Sequence, residues 1–249
     1  MIPVDDLFPE EASLVDPARG EYAKTPAWLA DAARDLCPLA VAPEAVLDLG
    51  AGLGDLGAAC ERRWPGIRVA AVEMEADRCD HLRSAHPRWG VIQANVEKWA
   101  VTEVLWASSQ RQRHRWPLIV CNPPFTRSLQ WTLLALPLLE PGGALVMIQP
   151  LEHLGGLERW QTLYRDHPPT VVGIAPRRPT GKGWEDARAI IVAMWQSGAV
   201  RASRDTSFLR AGFVRCGQTV GGLLAFQLLP ESMPEAMPCA GQQSSLFPR

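Results

Sequence analysis

The chain has 249 residues, 47% of them hydrophobic and 21% charged, and its formal net charge is -2. This balance is typical of a globular protein with a sizeable core, and it excludes a largely disordered chain or a collagen-like repeat. No run of about 20 apolar residues is present to form a transmembrane helix. The acidic N-terminus also lacks the basic and then apolar pattern of a signal peptide, so we expect a cytoplasmic protein.

The six cysteines form no C-x-x-C pair, and the five histidines are scattered along the chain. Zinc sites usually need such closely spaced ligand pairs. We therefore expect reduced thiols and no metal site.

The first elements follow an acidic, proline-containing stretch at residues 1–24, which we interpret as an N-terminal arm. Thr25 and Pro26 then have the residue types of a helix N-cap and a first helical position, and apolar residues recur at helical spacing as far as Leu36. Further helices are predicted at residues 55–64, 76–85 and 129–139, the last one kinked by Pro137.

Short apolar runs predict strands at residues 45–49, 67–72, 90–94, 118–121, 144–148 and 187–195. Strands mostly alternate with helices, and their residues are apolar throughout rather than alternating with polar ones. Both features are typical of a sheet that helices cover on both faces. We therefore predict an α/β fold, a doubly wound, mostly parallel Rossmann-like sheet at residues 25–198. Residues 199–249 change in composition and are interpreted as a C-terminal extension with a flexible tail.

A dense glycine cluster follows the first predicted strand. Asp48 ends that strand and is followed by Gly50, Gly52 and Gly54, which let the backbone approach a ligand closely. Glu73 lies about 20 residues further on, where dinucleotide-binding folds place an acid that binds ribose. This pattern alone does not separate a nicotinamide cofactor from S-adenosylmethionine.

A second motif, Asn122-Pro123-Pro124-Phe125, follows the fourth predicted strand. In an open parallel sheet it should lie at the same edge as the glycine cluster. The prolines have no N–H to donate, so backbone carbonyls and the Asn122 side-chain oxygen can accept hydrogen bonds from a substrate NH2 group. Phe125 adds an aromatic face for a planar ring.

These motifs together resemble class I S-adenosylmethionine-dependent methyltransferases, and specifically the amino-methyltransferases with an N/D-P-P-Y/F motif. Thr25-Pro26, the glycine cluster, Glu73, Asn95 and the Asn122 motif occur in the order found in N6-adenine DNA methyltransferases, including phage-type enzymes. The resemblance covers roughly residues 24–196.

The resemblance implies a role for each matching residue of the cofactor site. Asp48 and the glycine cluster would hold the methionine part of S-adenosylmethionine. Glu73 would bind the ribose hydroxyls, and Met74 would pack on the adenine ring. Asn95 would contact the adenine where the family often has Asp.

The resemblance also assigns the substrate site. Asn122 and the Pro123 carbonyl would accept from the target amino group, beside Pro124. Phe125 would stack on the target base where the family more often has Tyr. A base inside a duplex would have to be flipped out to reach these residues.

The late loop of the predicted domain carries candidates for contacting nucleic acid. Arg177, Arg178 and Lys182 are placed to reach phosphates if this loop lies near the cleft. Trp184 is the candidate for contact with a nucleobase.

The C-terminal residues Gln243-Ser244-Ser245-Leu246-Phe247 resemble the peptide by which bacterial DNA-processing proteins bind the sliding clamp. Gln243, Leu246 and Phe247 would be the anchoring side chains. If so, deletion of residues 242–249 should abolish affinity for the clamp.

The sequence thus favours a DNA adenine N6-methyltransferase with DNA as its partner and no contact with membranes. RNA adenine or guanine and protein glutamine amides stay open, because each presents a planar NH2 group. A cofactor-binding subunit without catalysis and a nicotinamide oxidoreductase are further alternatives.

Overall fold

A computed structural model describes residues 24–37, 42–110, 115–175, 179, 184 and 189–197, together with the strand residues 213–214, 219–220 and 223–228. The helices in the described part are α1 (Ala27–Asp35), α2 (Asp55–Arg63), α3 (Ala76–Ala85), α4 (Val96–Gln110), α5 (Ser128–Ala135) and α6 (Leu157–Arg159), which continues as a π-helix at Trp160–Tyr164. Short 3-10 turns cover Phe125–Arg127, Leu136–Leu138 and Leu151–Leu154.

The strands are β1 (Ala45–Leu49), β2 (Arg68–Glu73), β3 (Gly90–Gln93), β4 (Trp116–Cys121), β5 (Leu139–Pro150), β6 (Val171–Ile174), β7 (Ile190–Gln196), β8 (Phe213–Val214), β9 (Thr219–Val220) and β10 (Leu223–Leu228). The described strands form one sheet in the order β3-β2-β1-β4-β5-β7-β6-β10-β8, with β9 paired to β10. The five strands from β3 to β5 are parallel, whereas β7 runs antiparallel to both β5 and β6.

Two apolar clusters lie on opposite faces of this sheet. Val46 of β1 packs in a cluster with Leu29 of α1 and Leu56 of α2, while the next residue, Leu47, packs in a second cluster with Ala100 of α4. Alternate residues of a strand point to opposite faces, so this division places helices on both sides. The predicted doubly wound Rossmann-like fold is confirmed.

The ends of several elements differ from the sequence predictions. The helix α1 begins at Ala27 with Pro26 in the cap position, one residue later than predicted, because the Thr25 hydroxyl contacts another part of the chain. The helix α5 ends at Ala135 and passes into a 3-10 turn that contains Pro137, as expected for a residue that cannot donate its backbone N–H. The helix α4, the strand β6 and the antiparallel direction of β7 were not predicted.

The predicted boundary at residue 198 is not a boundary of the sheet. The strand β10 pairs antiparallel with β6, with Leu224 opposite Ile174 and Gln227 opposite Val171. The chain beyond residue 198 therefore adds to the same sheet. No helix in the described part is long and apolar enough to cross a membrane.

Candidate active site

The glycine cluster forms a tight turn at the carboxyl end of β1. Gly50, Gly52 and Gly54 have φ values of 69°, 58° and 86°, which lie in the left-handed region that favours glycine. A Cβ atom on Gly50 would lie 2.8 Å from Cζ3 of Trp131, and one on Gly54 would lie 2.8 Å from Cδ2 of Leu82. Both the conformation and the space at these positions therefore require glycine.

Three carboxylates surround this turn. Asp48 accepts a 2.8 Å hydrogen bond from the N–H of Gly57 at Oδ2, and Glu73 accepts one of 2.8 Å from Gly52 at Oε2. Asp55 stands in the first turn of α2. Asp48 is 1% exposed, and its burial raises the pKa of the carboxyl to about 7, assisted by the negative charges of Asp55 and Glu73. The surroundings of the turn therefore favour a bound cation.

Glu73 is held in place by its second carboxylate oxygen. Oε1 accepts from the N–H of Met74 at 3.0 Å and from that of Glu75 at 2.9 Å, and Arg78 pairs with it at 3.6 Å. The side chain of Met74 is left 47% exposed beside this anchored carboxylate. An exposed thioether at the end of β2 can pack on a planar ring.

Asn95 lies next to Met74, at the end of the neighbouring strand β3. Its Nδ2 is 3.8 Å from the Met74 sulfur, and its Oδ1 accepts from the N–H of Lys98 at 3.1 Å. The side-chain oxygen therefore caps the first turn of α4. Its Nδ2 side is the part of the amide that faces Met74.

The Asn122 motif lies one strand away from the glycine cluster. Since Leu49 of β1 and Cys121 of β4 are register partners, the glycine turn and Asn122 continue from adjacent positions at the same edge. Asn122 Nδ2 donates to Thr25 Oγ1 at 3.0 Å. Pro123 is buried, and the carbonyl of Pro124 accepts from the N–H of Arg127 at 2.9 Å, which closes the turn into α5.

Trp184 does not offer an open face to a nucleobase, so this part of the prediction is wrong for the conformation described here. The side chain is 2% exposed, and its Nε1 donates to the Lys24 carbonyl at 2.7 Å. Its ring packs edge-on against Phe125, with 5.8 Å between the ring centroids. Burial of a large aromatic ring stabilises this arrangement, and the contact positions Phe125.

The other candidates for contact with partners, Arg177, Arg178, Lys182, Gln243, Leu246 and Phe247, lie outside the described residues. Among the residues that the structure does describe, no group of His, Cys, Asp and Glu is arranged to hold a metal ion.

Sequence reasoning missed a polar link beside the glycine turn. Trp131 of α5, whose ring lies against Gly50, donates from Nε1 to Glu97 Oε1 at 3.0 Å. Glu97 Oε2 pairs with Arg127 at 3.6 Å. The link joins the start of α4 to the start of α5, and its members are far apart in sequence, so no local pattern could have identified it.

The site geometry agrees with what comparison with known proteins finds. Residues 36–155 match the model of a family described as methyltransferase small domain. Trans-aconitate 2-methyltransferase of Rhodopseudomonas palustris strain BisB18 is 33% identical over 111 residues, which are 43% of this chain and 39% of that protein. The protein of the same name from strain HaA2 is 40% identical over 72 residues, 28% of each chain. The chain thus spans 40% or less of the length of the curated relatives it matches.

Solved structures share the fold. One from Listeria monocytogenes, described as a class I S-adenosylmethionine-dependent methyltransferase, aligns with a TM-score of 0.53 at 8% identity, over 76% of this chain and 65% of that one. Another from Agrobacterium tumefaciens, described as an O-methyltransferase, aligns with a TM-score of 0.51 at 20% identity, over 68% and 81% of the two chains.

The fold, the glycine turn and the family match together support a class I methyltransferase with S-adenosylmethionine as its cofactor. The resemblance drawn from the sequence is confirmed at the level of this class. The relatives do not share one kind of acceptor, so the target of the methyl group has to be argued from the residues of this chain.

Proposed function

We propose that this chain transfers a methyl group from S-adenosylmethionine to an exocyclic amino nitrogen, most specifically N6 of adenine in DNA. The observation that carries the proposal is the position of Asn122 and Pro123 beside the glycine turn. They follow β4 at the point where the turn follows β1, and the two strands are hydrogen-bonded neighbours. An amino group bound there would lie close to the methyl group of a cofactor bound at the turn.

The residues around the turn fit S-adenosylmethionine better than a nicotinamide dinucleotide. The buried or half-buried carboxylates of Asp48, Asp55 and Glu73 favour a ligand with sulfonium and ammonium charges. A dinucleotide pyrophosphate is anionic and normally binds the N–H groups at a helix N-terminus. Here Asp55 occupies the first turn of α2 and Asp48 already accepts from Gly57, so a pyrophosphate would meet negative charge.

The amino group would be held by acceptors of this chain. Hydrogen bonds from its two protons to Asn122 Oδ1 and to the Pro123 carbonyl would turn the nitrogen lone pair towards the cofactor. The cofactor supplies an electrophilic methyl group, so that an N–C bond forms as the C–S bond breaks and its electrons stay on sulfur. The acceptors then stabilise the positive charge that develops on nitrogen before a proton is lost to water.

Phe125 supports a planar substrate. Its ring is partly exposed and is fixed from one side by Trp184. A ring fixed in this way can stack on a base that has been flipped out of a duplex. RNA bases and protein glutamine amides have the same planar NH2 geometry and are the alternative acceptors of this class.

The experiment that tests the proposal uses radiolabelled S-adenosylmethionine with unmethylated DNA, RNA and protein, followed by mass analysis of the nucleosides. We expect N6-methyladenine from DNA. Asn122→Ala should lower kcat/KM by about 100-fold or more, since one preorganised hydrogen-bonding group contributes roughly 2.7–4 kcal/mol to catalysis in comparable sites. Gln161→Ala, which removes an exposed amide in the π-helix, is the matched control and should behave as wild type. Label in RNA or protein alone would contradict the DNA assignment.

The same measurement separates an enzyme from a cofactor-binding subunit. A subunit without catalysis would bind S-adenosylhomocysteine in calorimetry and transfer no label to any acceptor. The presence of both the glycine turn and the Asn122 motif supports an enzyme.

A sliding clamp is the second proposed partner, supported by the residues Gln243, Leu246 and Phe247. The test measures binding of the full chain to immobilised clamp. A chain that lacks residues 242–249 should lose this binding and keep its methyl-transfer activity. Equal binding by both chains would contradict the assignment.

A further inference from the structure

A short segment at residues 24–26 contacts three separate loops at the candidate site. The Thr25 hydroxyl accepts from Asn122 Nδ2 at 3.0 Å, across 97 positions of sequence. The Thr25 backbone N–H donates to the carboxylate of Asp55, and the Lys24 carbonyl accepts from Trp184 Nε1 at 2.7 Å. Thr25 is 5% exposed, so these contacts are shielded from water.

The contact with Thr25 determines which end of the Asn122 amide is presented to a substrate. A side-chain amide has a donor end, Nδ2, and an acceptor end, Oδ1. Because Nδ2 is directed to Thr25, Oδ1 is the end that would meet the substrate. Pro123 and Pro124 have no N–H groups, so this stretch offers acceptors to a nucleophile.

We infer that Thr25 is a positioning residue that orients the Asn122 amide and thereby selects an N–H nucleophile over an oxygen acid. This inference rests on the proposed transfer to an amino nitrogen and extends it to the choice of nucleophile. A carboxylate substrate would need donors at this point, so the amide would have to turn over and the Thr25 hydroxyl would have to donate instead of accept. The nearby carboxylates of Asp48 and Asp55 add repulsion against such an anion.

The chain allows a direct measurement of this orientation, because Asn95 and Asn122 are the two asparagines in its whole sequence. Protein labelled with 15N-asparagine therefore gives two pairs of side-chain amide signals, which Asn122→Asp assigns. Asn95 is exposed and serves as an internal reference. The variants are Thr25→Val, which has the same shape without the hydroxyl, and Thr25→Ser, which keeps it. Thr102→Val is the matched control, since it removes a hydroxyl that donates to the Lys98 carbonyl on the exposed side of α4.

We expect Thr25→Val to speed hydrogen exchange at the Asn122 amide by at least about tenfold, with no change at Asn95. In the same variant, kcat for methylation of an adenine-containing duplex should fall by about tenfold, the equivalent of one net hydrogen bond. The Kd for S-adenosylhomocysteine should change by less than about threefold, because the contact does not involve the turn that holds the cofactor. Thr25→Ser should recover both the exchange protection and kcat, whereas a general loss of packing would not be recovered in this way.

Several results would overturn the inference. They are unchanged exchange at Asn122 in Thr25→Val, unchanged kcat in that variant, faster transfer by wild type to trans-aconitate than to any amino acceptor, or transfer to no amino acceptor at all. Transfer to RNA or to a protein amide in place of DNA would contradict the proposed DNA target and leave the inference in place. Transfer to DNA with an Asn122 amide that is insensitive to Thr25 would do the reverse.

Discussion

Asp48 is the residue at which burial and charge act most directly on each other. Its carboxyl is 1% exposed and has a single printed donor, Gly57, so the cost of removing it from water exceeds the gain from that hydrogen bond, and its pKa rises from 3.8 to about 7. Between these two pH values the folded protein keeps a proton that the unfolded chain has lost.

This difference predicts how stability depends on pH. The contribution of Asp48 to the free energy of unfolding is fully present below about pH 4 and is lost as the pH rises towards 7, by at most about 1.4 kcal/mol per pH unit. Asp48→Asn has no proton to lose, so its stability relative to wild type should increase over this range. Urea unfolding between pH 4 and 8 measures both proteins, and parallel curves would show that the carboxyl titrates normally.

Gly50 gives a second prediction at the scale of one residue. Gly50→Ala combines the strain of a φ of 69° with a Cβ that would lie 2.8 Å from the Trp131 ring. We expect a loss of about 2–3 kcal/mol of stability and a weaker affinity for S-adenosylhomocysteine.

The matched control is Gly66→Ala. Gly66 has a φ of 92°, and nothing lies within 4 Å of its added Cβ. It should lose only the strain, about 1–2 kcal/mol, and bind the cofactor product as wild type does. Calorimetry and thermal unfolding compare the two, and equal effects would show that the approach of Trp131 is unimportant.

At the scale of elements, the site depends on loops that follow neighbouring parallel strands and are tied to one another by side chains. Glu97 at the start of α4 accepts from Trp131 and pairs with Arg127, which precedes α5. The carboxylate is 15% exposed and the guanidinium 22%, so water screens this pair less than one at the surface. The link keeps Trp131 against the glycine turn.

Two substitutions at Glu97 separate its two contacts. Glu97→Gln keeps an oxygen that can accept from Trp131 and loses the ion pair, which should cost about 1 kcal/mol. Glu97→Ala loses both contacts and leaves the indole N–H without this acceptor, which should cost about 2 kcal/mol. Urea unfolding measures the difference, and equal losses would mean that the hydrogen bond contributes little.

At the scale of the whole molecule, one sheet carries the site at one region and the C-terminal strand at another. The site lies over β1, β2 and β4, whereas β10 covers the backbone of β6 at the opposite end of the sheet order. Loss of β10 would leave β6 at an edge, with unpaired N–H and C=O groups that promote association.

Truncation tests this arrangement. A chain that ends at Ser197 should aggregate, as measured by light scattering, while its soluble fraction still binds S-adenosylhomocysteine in calorimetry. A chain that ends at residue 229 keeps β10 and is the control, expected to stay monodisperse. A chain ending at Ser197 that stays monodisperse would show that β10 does not protect the edge of the sheet.

Much of the fold could be predicted because its signals are local. The bounds of β1 at Ala45–Leu49 agree with the apolar run, and the glycines that follow it were recognised from their density. The ends of β5 were less accurate, since Leu139–Pro150 extends beyond its apolar core through backbone pairing with β4 and β7. Pairing of this kind depends on neighbouring strands and leaves no trace in the strand's own sequence.

The sequence by itself determined the class of fold, the glycine turn and the Asn122 motif, because each is encoded by contiguous residues whose conformational limits are intrinsic. Only the tertiary structure decided that Trp184 is buried against Phe125 and that the Asn122 amide donates to Thr25. Burial and hydrogen-bond partners are set by residues that come together from distant parts of the chain, here 97 positions apart for Thr25 and Asn122. The amide has the same composition in either orientation, so its direction, and with it the nucleophile it accepts, depends on that distant partner.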